Sequence, residues 1–177
     1  MACVLAAAAL AGCGGGAAAG RARTGTRAAL VAYLRQVEPI RLAVNRLLEG
    51  ADPILAGYRD GRLSPSLAAR RMGALEERFA AYTVDVAAIE PASGELISLH
   101  AGYAHTYILE DAYLSALAAG LRTRELARLP DTQAAQRAAI IEWRTRLAVL
   151  AARARVTLPG DLLLAGRGEI APSPAGS

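Results

Sequence analysis

The sequence predicts an all-α protein, a single up-down-up-down four-helix bundle, and three observations predict it. Hydrophobic residues make up 54% of the 177-residue chain but aromatic ones only 5%, so the apolar mass is alanine, leucine and valine, a mixture that favours helices over sheets. Four long segments carry apolar residues at alternating three- and four-residue steps, the spacing of one buried helix face. Short breaks rich in Pro, Gly, Ser and Asp separate them, of a length that joins neighbouring helices. A chain this long supports one domain with a sizeable core.

Helix one reads from Arg27 to Arg59 through Leu30, Tyr33, Val37, Ile40, Val44, Leu47, Ala51, Ile54 and Tyr58. The phase runs unbroken past Pro39 and Pro53, which predicts a kink at each. A proline also removes a backbone donor and crowds the preceding turn, so Gly50-Ala51-Asp52-Pro53 equally suits the start of a separate short helix. Helix two starts at Ser64-Pro65, a capping side chain followed by proline at the first helical position. It presents Ala68, Met72, Leu75, Phe79, Tyr82, Val86 and Ile89 and ends at Pro91; Met72 is read as core filler rather than a haem ligand.

Helix three starts at Ser93, with Glu95 in the first turn where the helix dipole favours a carboxylate. Its stripe is Leu96, His100, Tyr103, Tyr107, Glu110, Leu114, Leu117 and Leu121. Leu129-Pro130 then breaks the chain and Asp131 caps helix four, whose face is Gln136, Ile140, Trp143, Leu147, Leu150 and Ala154 up to Pro159-Gly160. The bundle thus spans residues 27–158, and 159–177 reads as a short turn and a disordered tail.

At the N-terminus a short apolar run from Val4 leads into Leu10-Ala11-Gly12-Cys13. This tetrapeptide resembles the lipobox of bacterial lipoproteins, in which a signal peptide is cut just before a lipid-modified cysteine. The run is too short to span a bilayer, which needs about 20 residues, and has the length of a signal-peptide core. The resemblance implies a signal peptide over 1–12, a lipid-anchored Cys13 and, over 13–26, a flexible glycine- and alanine-rich tether. It also implies an exported protein on the extracytoplasmic side, bound to the membrane through acyl chains such as palmitate. The basic segment that opens such leaders has no counterpart here, since the first basic residue is Arg21.

The net charge of +4 comes from 20 basic residues, all arginine, against 16 acids. These arginines are spread among acids along helix faces, without the basic clusters and stacking aromatics of a nucleic-acid binder, so no nucleic-acid partner is expected. Both cysteines, Cys3 and Cys13, lie in the first thirteen residues, which leaves the body without a disulfide or a thiolate metal site. A di-iron bundle needs paired Glu-x-x-His motifs and covalent haem needs Cys-x-x-Cys-His; neither occurs, and no metal or other cofactor is expected. Phosphate-cradling Gly-x-x-x-x-Gly-Lys and the serine-hydrolase elbow are absent too.

What remains is the polar centre of helix three. His100 and Glu110 lie ten residues apart, about 15 Å along a helix, too far to share a metal or a proton. Laying helix two antiparallel against helix three brings His100 to the level of Asp85 and Tyr103 to that of Tyr82; laying helix four likewise brings Glu110 to Arg144. One reading makes His100–Asp85 and Glu110–Arg144 structural polar pairs that set helix register. The other makes His100, Tyr103, Tyr107, Glu110, Tyr82 and Trp143 the wall of a ligand pocket between helices. His105 falls on the opposite, solvent side. The leading expectation is a non-catalytic binding or interaction module at the cell envelope with an unidentified partner. The alternative is a small-molecule- or metal-binding envelope protein, or an enzyme, using the His100 to Glu110 face.

Overall fold

The computed structural model describes residues 15–163 and 170–174, with side chains for 24–162 and 170–174. Five α-helices carry the fold: α1 (Gly15–Leu48), α2 (Ala51–Arg59), α3 (Pro65–Ala87), α4 (Gly94–Thr123) and α5 (Gln133–Ala154). Single turns of 3-10 helix at Leu126–Arg128 and Gly160–Leu163 complete it, and no strand occurs among the described residues. The architecture is a four-helix bundle. α3 lies against α4, α4 against α5, and α1 against both α3 and α5, while α2 packs on α3.

The expected helix one is two helices. Pro39 sits inside α1 without ending it, whereas the chain turns at Glu49–Gly50, where the Gly50 amide bonds back to Leu47 at 3.0 Å. Pro53 falls in the first turn of α2, where its missing N–H would have had no intrahelical partner. At the other end, helical backbone begins at Gly15, within the stretch expected to be a tether; alanines 17 to 19 are strong helix formers that offset the flanking glycines. The lipobox-like tetrapeptide lies outside the described residues.

The caps of α3 and α4 are as expected. Ser64 Oγ accepts from the Leu67 amide at 3.3 Å and Ser93 Oγ from the Leu96 amide at 3.4 Å. Before α5 the expected Asp131 cap is not made, because the N-cap position is Thr132 in a helical conformation with no side-chain cap bond. Between α2 and α3, Gly61 takes φ 70°, a left-handed turn residue that a Cβ would strain. α4 and α5 end on left-handed residues that are not glycine, Arg124 at φ 64° and Arg155 at φ 53°.

Every member of the α4 and α5 stripes is buried, including His100, Glu110 and Gln136. In α3 the buried set is Ala68, Ala69, Met72, Leu75, Phe79 and Val86, with Tyr82 only half-buried. The α1 stripe departs at one turn: Ile40 is half-buried and Arg41 is the buried residue, 1% exposed. The tail is not free of the bundle either, since Leu162 and Ala171 are both buried in the core cluster.

Candidate functional site

His100, on α4, contacts α1 and α3 directly and reaches α5 through Tyr33. Its Nε2 lies 3.0 Å from the Val86 carbonyl and its Nδ1 lies 3.1 Å from Tyr33 Oη, which in turn is 3.0 Å from Trp143 Nε1. Both ends of this chain have fixed roles, because an indole N–H only donates and a carbonyl only accepts. The order is therefore Trp143 to Tyr33 to His100 to Val86, with the proton of a neutral imidazole on Nε2. Every group in the chain is satisfied, and a second proton on Nδ1 would face the Tyr33 hydroxyl donor. Burial accordingly lowers the His100 pKa, with the Val86 bond opposing it, and burial raises Tyr33 to about 12.

The expected Asp85 partner is not used. Asp85 is exposed, one residue and so about 100° around α3 from Val86. The helix offers His100 a carbonyl from its last turn instead. His100 bonds across helices to the Val86 backbone and to Tyr33.

Next to His100 the aromatic rings close the interior. Tyr103 stacks on Trp143 at 4.1 Å between centroids and meets Tyr107 edge-on at 5.3 Å, with their hydroxyls 3.0 Å apart. Tyr107 stacks on Phe79 at 5.6 Å. The void left between Val44, Phe79, Tyr107 and Glu110 measures about 10 Å³, the scale of one water and far below a ligand pocket of roughly 300–1,000 Å³. The structure thus brings His100, Tyr103, Tyr107, Glu110 and Trp143 together as packed core. Tyr82 stands apart, on the surface groove described below.

Glu110 is 2% exposed. Its Oε1 accepts from the Ala171 amide of the C-terminal segment at 2.8 Å. Gln133 Nε2 donates to the Ala171 carbonyl at 2.7 Å and Tyr113 to the Pro172 carbonyl at 3.4 Å, so α4 and α5 hold this segment by its backbone. A carboxylate paired with Arg144 would be held low. Burial instead pushes Glu110 up to about 7, opposed by the Ala171 amide and Gln136. Glu110 Oε2 and Gln136 Oε1 are both buried acceptors without a donor. Burial thus favours the neutral form of this carboxyl, and the hydrogen bond it makes is with the Ala171 amide, where the sequence suggested Arg144.

Sequence periodicity gave no sign of Arg41. It forks onto Glu38, Nε to Oε2 at 3.1 Å and Nη2 to Oε1 at 2.7 Å, and Nη2 also pairs with Asp161. The Glu38-x-x-Arg41 spacing was the available signal, since residues three apart on a helix are neighbours. Partial desolvation raises the Asp161 carboxyl, but the Arg41 bonds outweigh it and hold it below its ordinary value.

A cavity of about 450 Å³ lies on the surface between α1, α2 and α3, and another of about 410 Å³ lies beside Thr24, Arg27, Arg153, Ala154 and Arg155; the first is the one with an apolar floor. Arg46, Arg71 and Arg78 rim it, Leu47, Leu75 and Ile54 floor it, and no acidic side chain lines it. None of the three arginines makes an ion pair or hydrogen bond among the described residues. In the sequence, Arg71 and Arg78 belong to the solvated face of helix two, and nothing singles out Arg46. The helices supply their residue spacing, but only the packing of α1 and α2 on α3 brings them to one cavity.

Among the described residues no three His, Cys, Asp or Glu side chains cluster to hold a metal, and no helix is long and apolar enough to cross a membrane. Comparison with protein-family models, curated proteins and solved structures finds no match to this chain.

Proposed function

We propose that this protein is a lipid-anchored, extracytoplasmic binding module of the cell envelope, non-catalytic, whose binding surface is the groove between α1, α2 and α3. Its path is an up-down-up-down bundle, bent at Pro39 and at Gly50–Pro53. The observation that carries the binding surface is the contrast in room. About 10 Å³ remains beside the polar face of α4, against about 450 Å³ over the groove, and the other hollow, of about 410 Å³, has Ala154 as its one apolar lining residue where the groove has Leu47, Ile54 and Leu75. Chemistry at His100 would need an accessible ring nitrogen, and both are engaged in the buried hydrogen-bond chain. The anchor rests on Leu10-Ala11-Gly12-Cys13. A cysteine carrying two or more acyl chains holds a protein stably to a bilayer, where one chain binds only marginally.

The anchor is tested by replacing Cys13 with Ala, labelling cells with a palmitate analogue and fractionating them. The parent is expected to incorporate the label and sediment with membranes, and the variant to do neither. A variant that sediments as the parent does overturns the anchored reading.

A further inference from the structure

We propose that the α1–α2–α3 groove binds a small organic phosphate, with the phosphate held between Arg46 and Arg78 and an apolar body lying on Leu47, Ile54 and Leu75. This rests on the reading that places the binding surface in the groove. Val44 and Phe79 border the same small void, and Gly50 packs against Leu75, a Cβ there falling 3.6 Å from Leu75 Cδ1. Arg46 lies between these two levels, so it faces the stretch of α3 that carries Arg78. Arg71, seven residues before Arg78, lies about 10 Å further along α3 and sits at the far end of the cavity.

The charge balance selects the ligand. Cations gathered over an apolar floor with no acid among the lining residues repel one another until an anion enters. A carboxylate needs one guanidinium for a bidentate pair, whereas a dianionic phosphate offers three oxygens and accommodates two. The floor adds a contact that inorganic phosphate cannot make: Ile54 is half-buried beside the buried Leu47 and Leu75 at the cavity base, and an apolar body covers its exposed part from water. The volume of about 450 Å³ lies within the usual range for small-molecule sites, roughly 300–1,000 Å³.

The test is titration calorimetry on the full chain with n-hexyl phosphate, n-hexanoate and inorganic phosphate. Saturable binding of hexyl phosphate is expected, about tenfold or more tighter than either of the other two. Arg46→Gln and Arg78→Gln are each expected to weaken it about tenfold or more, and Arg71→Gln less. All three arginines are exposed, so far-UV circular dichroism should show the variants folded as the parent is. Affinity should also rise from pH 5 to pH 7.5 as the ester gains its second charge near pH 6, because no histidine or acid lines the cavity.

Hexyl phosphate binding that survives the Arg46→Gln, Arg78→Gln double variant overturns the proposal, as does the absence of saturable binding. Equal binding of hexanoate overturns the phosphate assignment while leaving the groove as a binding surface. Binding to phosphatidylcholine vesicles containing phosphatidic acid, without binding of hexyl phosphate, also overturns it, in favour of a lipid headgroup as the source of the anion. The fractionation of the Cys13 variant is independent of all these outcomes, so failure of the anchored reading is told apart from failure of the ligand class.

Discussion

Tyr33 and His100, sixty-seven residues apart in sequence, are joined by a 3.1 Å hydrogen bond in which the phenol donates to Nδ1. The direction follows from Trp143, whose indole N–H occupies the phenol oxygen from the other side at 3.0 Å. Removing the hydroxyl strands a buried donor and a buried acceptor at once. Tyr33→Phe is expected to cost about 2–3 kcal/mol, read by urea denaturation. A loss below about 0.5 kcal/mol would contradict the chain of bonds.

The His100 pKa is lowered by burial, so the native state takes up fewer protons than the unfolded chain. The associated stability is full above the unfolded pKa of about 6.5 and is lost as pH falls below it. His100→Gln removes this dependence, so parent and variant should converge in melting temperature between pH 7.5 and pH 5. The Asp85 pair expected from sequence required the opposite trend, and divergence toward acid pH would restore it.

Glu110 titrates with the opposite sign. Its folded pKa is raised from 4.5 to about 7, so the stability is fully present below 4.5 and lost as pH rises through about 7, a difference of about 3 kcal/mol. Gln is neutral, as the protonated acid is, and keeps an acceptor for the Ala171 amide. Glu110→Gln should therefore match the parent near pH 5 and exceed it by about 1–3 kcal/mol at pH 8. A variant less stable than the parent at pH 8 would show the carboxylate to be paired.

Arg41 ties the 3-10 turn at Gly160–Leu163 to α1 through Asp161. Asp161 is 47% exposed, so solvent screens the pair, and Asp161→Asn is expected to cost about 1 kcal/mol. Arg41→Ala should cost more, since it opens space in the core as well. Amide hydrogen exchange of Leu162 should speed up in both variants, and unchanged protection would mean the turn is held by packing alone.

At the end of α4, Arg124 takes φ 64° and its amide bonds to Gly120. Glycine adopts this conformation without the Cβ penalty, so Arg124→Gly should raise stability by about 1 kcal/mol, visible as a higher melting temperature. A fall would mean that the arginine side chain contributes more than the backbone strain costs.

The helices themselves were legible in the sequence because their determinants are local. Apolar spacing set the buried faces of α3, α4 and α5, and Ser64-Pro65 and Ser93 set two of their starts. The same spacing placed His100 and Glu110 inside, since a position on a helix stripe depends only on its neighbours three and four residues away. What each buried polar group bonds to was decided by tertiary structure. Asp85 and Val86 differ by one step along α3, yet only packing selects the Val86 carbonyl over the Asp85 carboxylate for His100. Ala171 reaches Glu110 across sixty-one residues through a backbone amide, and no side-chain pattern encodes a backbone donor. Arg46 and Arg78 each read as ordinary surface residues along their own helices; the cavity exists only because α1 and α3 bring the two faces together. Periodicity specifies which side of a helix turns inward, while partners across helices depend on crossing geometry and level, and these emerge only when all the faces are packed at once.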